Sequence, residues 1–192
     1  MPDTITRRGA AATLAGLLAA CSTTRREPGA EADLFRVDDE ATILAAARAI
    51  IEEDPMAALI TIDASGVPRA RTVGVWAPDD SFTLWIGTRR GSRKLDQIRN
   101  NPSATLYFNR DNVEQGFEGA WYASFMGRAT EHTDWPTLEM VAPPEEYRRE
   151  MWPNFPDDFT AIRFDTQWLE VTGHGIRGSV ETWQPQAVIL KP

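Results

Sequence analysis

The sequence predicts a mainly β fold: an antiparallel β-barrel, closed or split, of about six or more strands with short helices. Three observations carry this. Short apolar, β-branched runs recur along the chain after residue 55. The first of them are separated only by brief turn signals, "ASG" and "APDD", and such links join antiparallel neighbours. No internal repeat and no further composition shift follows the N-terminal segment, so the 192 residues hold one folded domain.

The first residues read as an address. Arg7 and Arg8 form a twin-arginine pair, an apolar run from Gly9 to Ala20 follows, and Leu18-Ala19-Ala20-Cys21 ends it. That run is shorter than the ~20 residues needed to span a bilayer, and its layout is that of a signal peptide of the twin-arginine type over residues 1–20. Cys21 resembles the acylated cysteine of a bacterial lipobox; a plain cleaved signal with an incidental cysteine is the other reading. Residues 21–36 are polar with Pro28 and Gly29 and form a flexible tether. Residues 37–192 form the barrel domain. The chain is expected to be exported to the periplasmic or cell-envelope side, its only membrane attachment a lipid anchor.

The domain begins with a helix. Asp38 or Asp39 can cap it, and Ile43, Leu44, Ala47, Ile50 and Ile51 fall on one face before it ends near Glu53. "MAALITID", "VPRARTVGVW" and "SFTLWIGT" are three strands of a meander. "SRKLDQIRNN" is a short helix stopped before Pro102. "SATLYFN" and "GAWYASFMGRATEHT" are strands on either side of a polar loop at Asp111 to Gly119, and Pro143 to Trp152 is a short helix. "FTAIRFD", "QWLEVTG" and "SVETW" are separate closing strands. Alternation turns Trp85 inward to the core, and Trp121, Trp135, Trp152 and Trp168 serve packing more than ligand stacking.

Charge narrows the function. The net charge is -8, against nucleic acid as a partner, because phosphate backbones need a broad basic face. Two distant histidines and one cysteine offer no metal-ligand spacing. Yet Gly87 to Pro102, "GTRRGSRKLDQIRNNP", holds Arg89, Arg90, Arg93, Lys94 and Arg99. Arg93 and Lys94 fall in the first turn of a helix, where the dipole disfavours cations and attracts anions. The residues alone leave two readings open: a solvated basic helix start, or a site for one small anion such as a phosphate. His174, between two glycines, is either a surface residue or a proton donor near a ligand.

The segment "GSRKLDQIRNNPSATLYF" resembles the corresponding segment of the pyridoxamine 5'-phosphate oxidase family, the FMN-binding split barrels. "PRARTVGVW", "FMGRATEH" and "VETWQP" resemble further family pieces in the same order, so the likeness runs from about Asp54 to Pro185. It implies an FMN cofactor, with Arg71, Arg93 and Lys94 on the phosphate and Thr88 donating a hydroxyl. It also implies that the backbone near Val73 and Trp76 faces the flavin ring, that Trp183 contacts the flavin, and that two subunits share each site in a homodimer. Trp76 stands where the oxidases have lysine, and Tyr122 where they use glutamine. The Arg-x-His segment that reads the vitamin's phosphate is missing after Gln184-Pro185. The implied activity is therefore FMN-dependent hydride transfer to or from another small molecule or electron donor, with the catalytic residues unspecified. A flavin-binding module or redox sensor without turnover, and a deazaflavin or haem relative, are the alternatives.

The address makes its own prediction. Cys21→Ser should release the protein from the membrane fraction or block its maturation. Arg7→Lys with Arg8→Lys should strand a folded precursor in the cytoplasm. Fractionation separates the two, and mature Cys21→Ser protein that stays with the membrane contradicts the lipid anchor.

Overall fold

The computed structural model describes residues 39–76, 78–110, 121–173, 176 and 185–190. Within them Asp39 caps helix α1 (Glu40–Glu53), its carboxylate accepting from the Thr42 N–H at 3.1 Å. Ile43, Ala46, Ala47, Ile50 and Ile51 are the buried stripe, so the expected face is present with Ala46 in place of the half-buried Leu44. The three expected strands follow as β1 (Met56–Ile62), β2 (Pro68–Gly74) and β3 (Thr83–Arg89), but they are not the expected meander, because β3 pairs with a later strand and lies at the opposite end of the sheet from β2. Helix α2 (Arg93–Asn100) buries only Leu95 and Ile98 and ends before Pro102. Then come β4 (Ser103–Arg110), β5 (Trp121–His132), α3 (Trp135–Met140), α4 (Glu145–Met151), β6 (Phe159–Thr172) and β7 (Gln186–Ile189).

The strands form one antiparallel sheet in the order β2-β1-β4-β5-β6-β3, and β7 adds to β6. The sheet closes on itself through a single bridge just past β2: the Trp76 N–H donates to the Trp85 carbonyl of β3 at 2.9 Å. Before that bridge β2 pairs only with β1, and β3 pairs only with β6. The fold is thus the expected mainly β, split barrel.

The interior is continuous. Leu59, Leu84, Ile86, Leu106, Phe108, Phe125, Ile162, Phe164 and Leu169 fill the barrel with α1's stripe and α2's Leu95 and Ile98. A fully buried side chain of this kind contributes about 1.5–3 kcal/mol. A smaller cluster lies elsewhere: Leu138, Val141, Trp152, Phe159 and Ala161, with Trp76, Trp85, Met151 and Phe155 against it. Trp152 and Phe159 meet edge to face at 4.8 Å.

Four further expectations are corrected. Residues Phe159 to Gly173 do not make two strands; β6 runs unbroken for 14 residues. At the supposed break Thr166 is buried and donates to the Phe82 carbonyl at 2.7 Å, which holds the strand extended. Trp85 is not in the main core: Leu84 and Ile86 point in, so Trp85 points out, half buried beside the smaller cluster and edge-on to His132 at 5.5 Å. Trp135 is 51% exposed and packs only in part. Helix α3 and strand β7 were not anticipated, although Asp134 accepts from the Thr137 N–H at 3.1 Å as a helix cap. The Asp111 to Gly119 loop and the "SVETW" strand lie outside the described residues.

The β5–β6 register shifts between Met126 and Gly127. A Cβ on Gly127 would sit 2.1 Å from the Asp165 carbonyl oxygen, so only glycine fits this bulge. Gly127→Ala is expected to destabilise the barrel by about 2 kcal/mol or more. Thermal denaturation should show the midpoint falling by about 4 °C or more. An unchanged midpoint would contradict the close approach.

Candidate functional site at the barrel split

Strand alternation decides what faces the split. Val75 donates its N–H to the Pro55 carbonyl, on the β1 side, and Trp76 donates across to β3. Successive residues turn their backbone groups to opposite edges, so Ala70, Thr72 and Gly74 direct theirs to the open edge of β2. Among the described residues no strand pairs with that edge before Trp76. The opening is wedge-shaped: pinned at Trp76 and Trp85, and wide at the other end, beside the start of α2.

A cleft of about 840 Å³ lies at that wide end, lined by residues of β2 and the first turns of α2. Arg71 reaches it from β2. One guanidinium nitrogen, Nη1, donates to the Thr61 hydroxyl at 2.6 Å and to the Leu59 carbonyl at 3.2 Å. The other, Nη2, donates to Gln97 Oε1 at 2.5 Å. Lys94 Nζ donates to the Thr88 hydroxyl at 2.7 Å, and Thr88 Oγ1 lies 3.2 Å from Ser92 Oγ. Ser92 is the N-cap of α2 but makes no side-chain capping bond, so its hydroxyl remains on the cleft wall. Arg93 completes the lining as an exposed cation.

The electrostatics are lopsided. Among the described residues no carboxylate forms an ion pair with Arg71, Arg93 or Lys94. Asp63, on the far wall, is committed elsewhere. The Ser65 hydroxyl, then Arg69 at 2.7 Å and the Val67 N–H, hold its carboxyl far below the usual range. Burial lowers the Arg71 pKa and the Arg93 charge lowers it further. Burial likewise lowers Lys94, and Arg71 adds to it. Partly dry cations that repel one another, at a helix N-terminus, are complementary to an anion with several acceptor oxygens.

Of the residues singled out in the sequence, Arg71, Thr88, Arg93 and Lys94 converge here. Val73 does not line the cleft: its side chain is in the core and its partner is Ala57. Trp76 sits at the pinned end, its ring against the smaller cluster. Trp183, His174 and Cys21 lie outside the described residues. Sequence reasoning missed Thr61, Ser92 and Gln97. Gln97 was within reach of it, being four residues beyond Arg93 on the same helix face. Thr61 gave one signal, a polar residue in an apolar strand, and is fully buried.

Removing one member of a repelling trio has opposite effects with and without its ligand. Lys94→Met is expected to leave the ligand-free protein melting no lower than wild type, while abolishing the stabilisation that added inorganic phosphate gives. Thermal melts with and without phosphate check this. A ligand-free variant that melts well below wild type would show that Lys94 serves stability instead.

The family model described as pyridoxamine 5'-phosphate oxidase matches residues 43–178. No curated protein matches the chain. The fold is similar to that of a protein related to general stress protein 26 from Clostridium acetobutylicum, with TM-score 0.61 and 16% identity over 79% of this chain and 96% of that chain. It is also similar to a heme binding protein from Mycobacterium smegmatis, with TM-score 0.59 and 14% identity over 80% of this chain and 60% of that one. A pyridoxamine 5'-phosphate oxidase-related, FMN binding protein from Nostoc punctiforme gives TM-score 0.53 and 16% identity over 78% of this chain and 95% of that chain. At these identities the neighbours speak to fold, while the model spans most of the domain, including β2, β3 and α2: the chain belongs to the pyridoxamine 5'-phosphate oxidase family.

Proposed function

We propose that the protein binds FMN at the barrel split and is a flavin-dependent oxidoreductase acting on a small molecule. The observation that carries this is the trio Arg71, Arg93 and Lys94, gathered around one cleft with no carboxylate paired to them among the described residues. The residues fit a phosphate monoester: two guanidinium groups, an ammonium, the Ser92 and Thr88 hydroxyls and a helix N-terminus. The open backbone edge at Thr72 and Gly74 fits the polar rim of a planar ring, which needs both donors and acceptors. Bound FMN would supply the capacity to take or give a hydride. The chain's own part is to anchor the phosphate, orient the ring along β2 and screen it from water.

Two further proposals complete the reading. The sheet's outer face at β1, β4, β5 and β6 carries partly exposed Ile60, Tyr107, Tyr122, Met126 and Trp168 in adjacent register. Such a face favours a homodimer, with each split shared between subunits. The N-terminal signal and Cys21 favour export of the folded, cofactor-loaded protein and its attachment to a membrane by lipid. Among the described residues no helix is long and apolar enough to cross one.

Each phosphate contact to a cation is worth about 1.5–3 kcal/mol. Arg93→Ala is therefore expected to weaken FMN binding at least ~10-fold. Wild-type protein should bind riboflavin far more weakly than FMN, as fluorescence titration can read. Equal affinity for the two would contradict the phosphate assignment. Reduction of the FMN-loaded protein and reoxidation by quinones or nitroaromatics then separates an enzyme, which turns over, from a binding module, which does not.

A further inference from the structure

Arg71 is held by a closed ring of hydrogen bonds. Its Nη1 donates to Thr61 Oγ1 at 2.6 Å, Thr61 donates to Gln97 Oε1 at 2.6 Å, and the same Oε1 accepts from Arg71 Nη2 at 2.5 Å. The chemistry fixes every direction. Arginine has only donors, so Thr61 must accept from it, which leaves the threonine proton for Gln97, and the amide must turn its oxygen, not its nitrogen, to both partners. The Leu59 carbonyl takes a further Nη1 bond at 3.2 Å. All three elements meet here: Leu59 and Thr61 on β1, Arg71 opposite on β2, and Gln97 on the second turn of α2.

Every acceptor in this ring is neutral. A carboxylate in place of Gln97 would hold the guanidinium just as well, and it would be the ordinary partner for a partly buried arginine. It would also cancel the arginine's charge and repel a phosphate. Among the described residues the only carboxylate lining the cleft, Asp63, is turned to Arg69. The neutral ring therefore orients Arg71 without neutralising it.

We propose that Gln97 and Thr61 are positioning residues that fix the Arg71 fork through neutral acceptors and so set the site's preference for a phosphorylated ligand over its unphosphorylated form. This rests on the FMN reading above, and its test is built to fail separately from it. The measured quantity is the ratio of riboflavin to FMN dissociation constants for the full purified chain freed of cofactor. A residue with a purely structural role would weaken both ligands alike and leave the ratio unmoved.

Gln97→Glu keeps an oxygen where Oε1 accepts both bonds, and puts a negatively charged oxygen in place of the amide NH2. It should weaken FMN at least ~10-fold, the loss of one charge-assisted contact, with riboflavin unchanged. Thr61→Val preserves volume but opens the ring, and should lower the ratio several-fold; Thr61→Ser, which keeps the hydroxyl, should restore it. Gln97 is only partly buried, so its variant should fold even if a Thr61 variant does not. If the ratio is unchanged in Gln97→Glu while Arg93→Ala still lowers it, the positioning role is overturned and the FMN site stands. If wild-type protein already binds both ligands equally, both readings fall.

Discussion

Three cations are held where the protein alone would not place them. Arg71 and Lys94 are partly removed from water, and each lowers, or is lowered by, a like charge nearby. Arg93 and Lys94 also stand in the first turn of a helix whose dipole opposes them. Ordinary folding would relieve this with a carboxylate, and the chain has acidic residues in excess, with a net charge of -8. Instead Asp96, in the same first turn, and Glu131 pair with Arg99 at 2.7 Å, and none of the three lines the cleft. Asp63 pairs with Arg69. Among the described residues the acids leave the trio unneutralised, and strain of this kind is relieved by an anion.

The barrel's incomplete closure makes room for whatever the cations hold. One bridge between Trp76 and Trp85 pins β2 to β3, and from there the strands part. Gly87, two residues beyond the bridge on β3, has no room for a side chain. A Cβ there would lie 2.6 Å from the Trp76 ring and 2.8 Å from Phe159. The smaller aromatic cluster therefore packs directly on the pinned end and braces it, while the far end stays open around the charges. Packing at one end comes from β2 and β3, and repulsion at the other from Arg71 of β2 and the helix that follows β3, which is how the fold ties its architecture to its site.

Much of this could be read from the residues. Periodicity located α1, the strands β1 to β3 and α2, because apolar and polar positions separate cleanly there, but it could not say that β4, β5 and β6 come between β1 and β3 in the sheet. The Ser-Arg-Lys run located two of the site's contributors, Arg93 and Lys94. What escaped was what depends on distant partners. β6 read as two strands because Asp165-Thr166 is polar, and only the Phe82 carbonyl explains Thr166. Trp85 read as core because alternation gives two faces without saying which is inside, and a second cluster covers the other. Gln97 read as one more polar helix residue until Arg71 and Thr61 arrived from two strands. Helix α3 is six residues long and carries a proline, too short for a period to show.

The account stands on the cleft being built for a flavin phosphate. The most direct measurement is the visible absorption spectrum of the protein as purified, with mass analysis of the molecule released on denaturation. The account expects the two-band spectrum of an oxidised flavin and release of FMN, one per chain. A haem or deazaflavin spectrum, or a colourless protein that stays colourless when FMN is added, would contradict it.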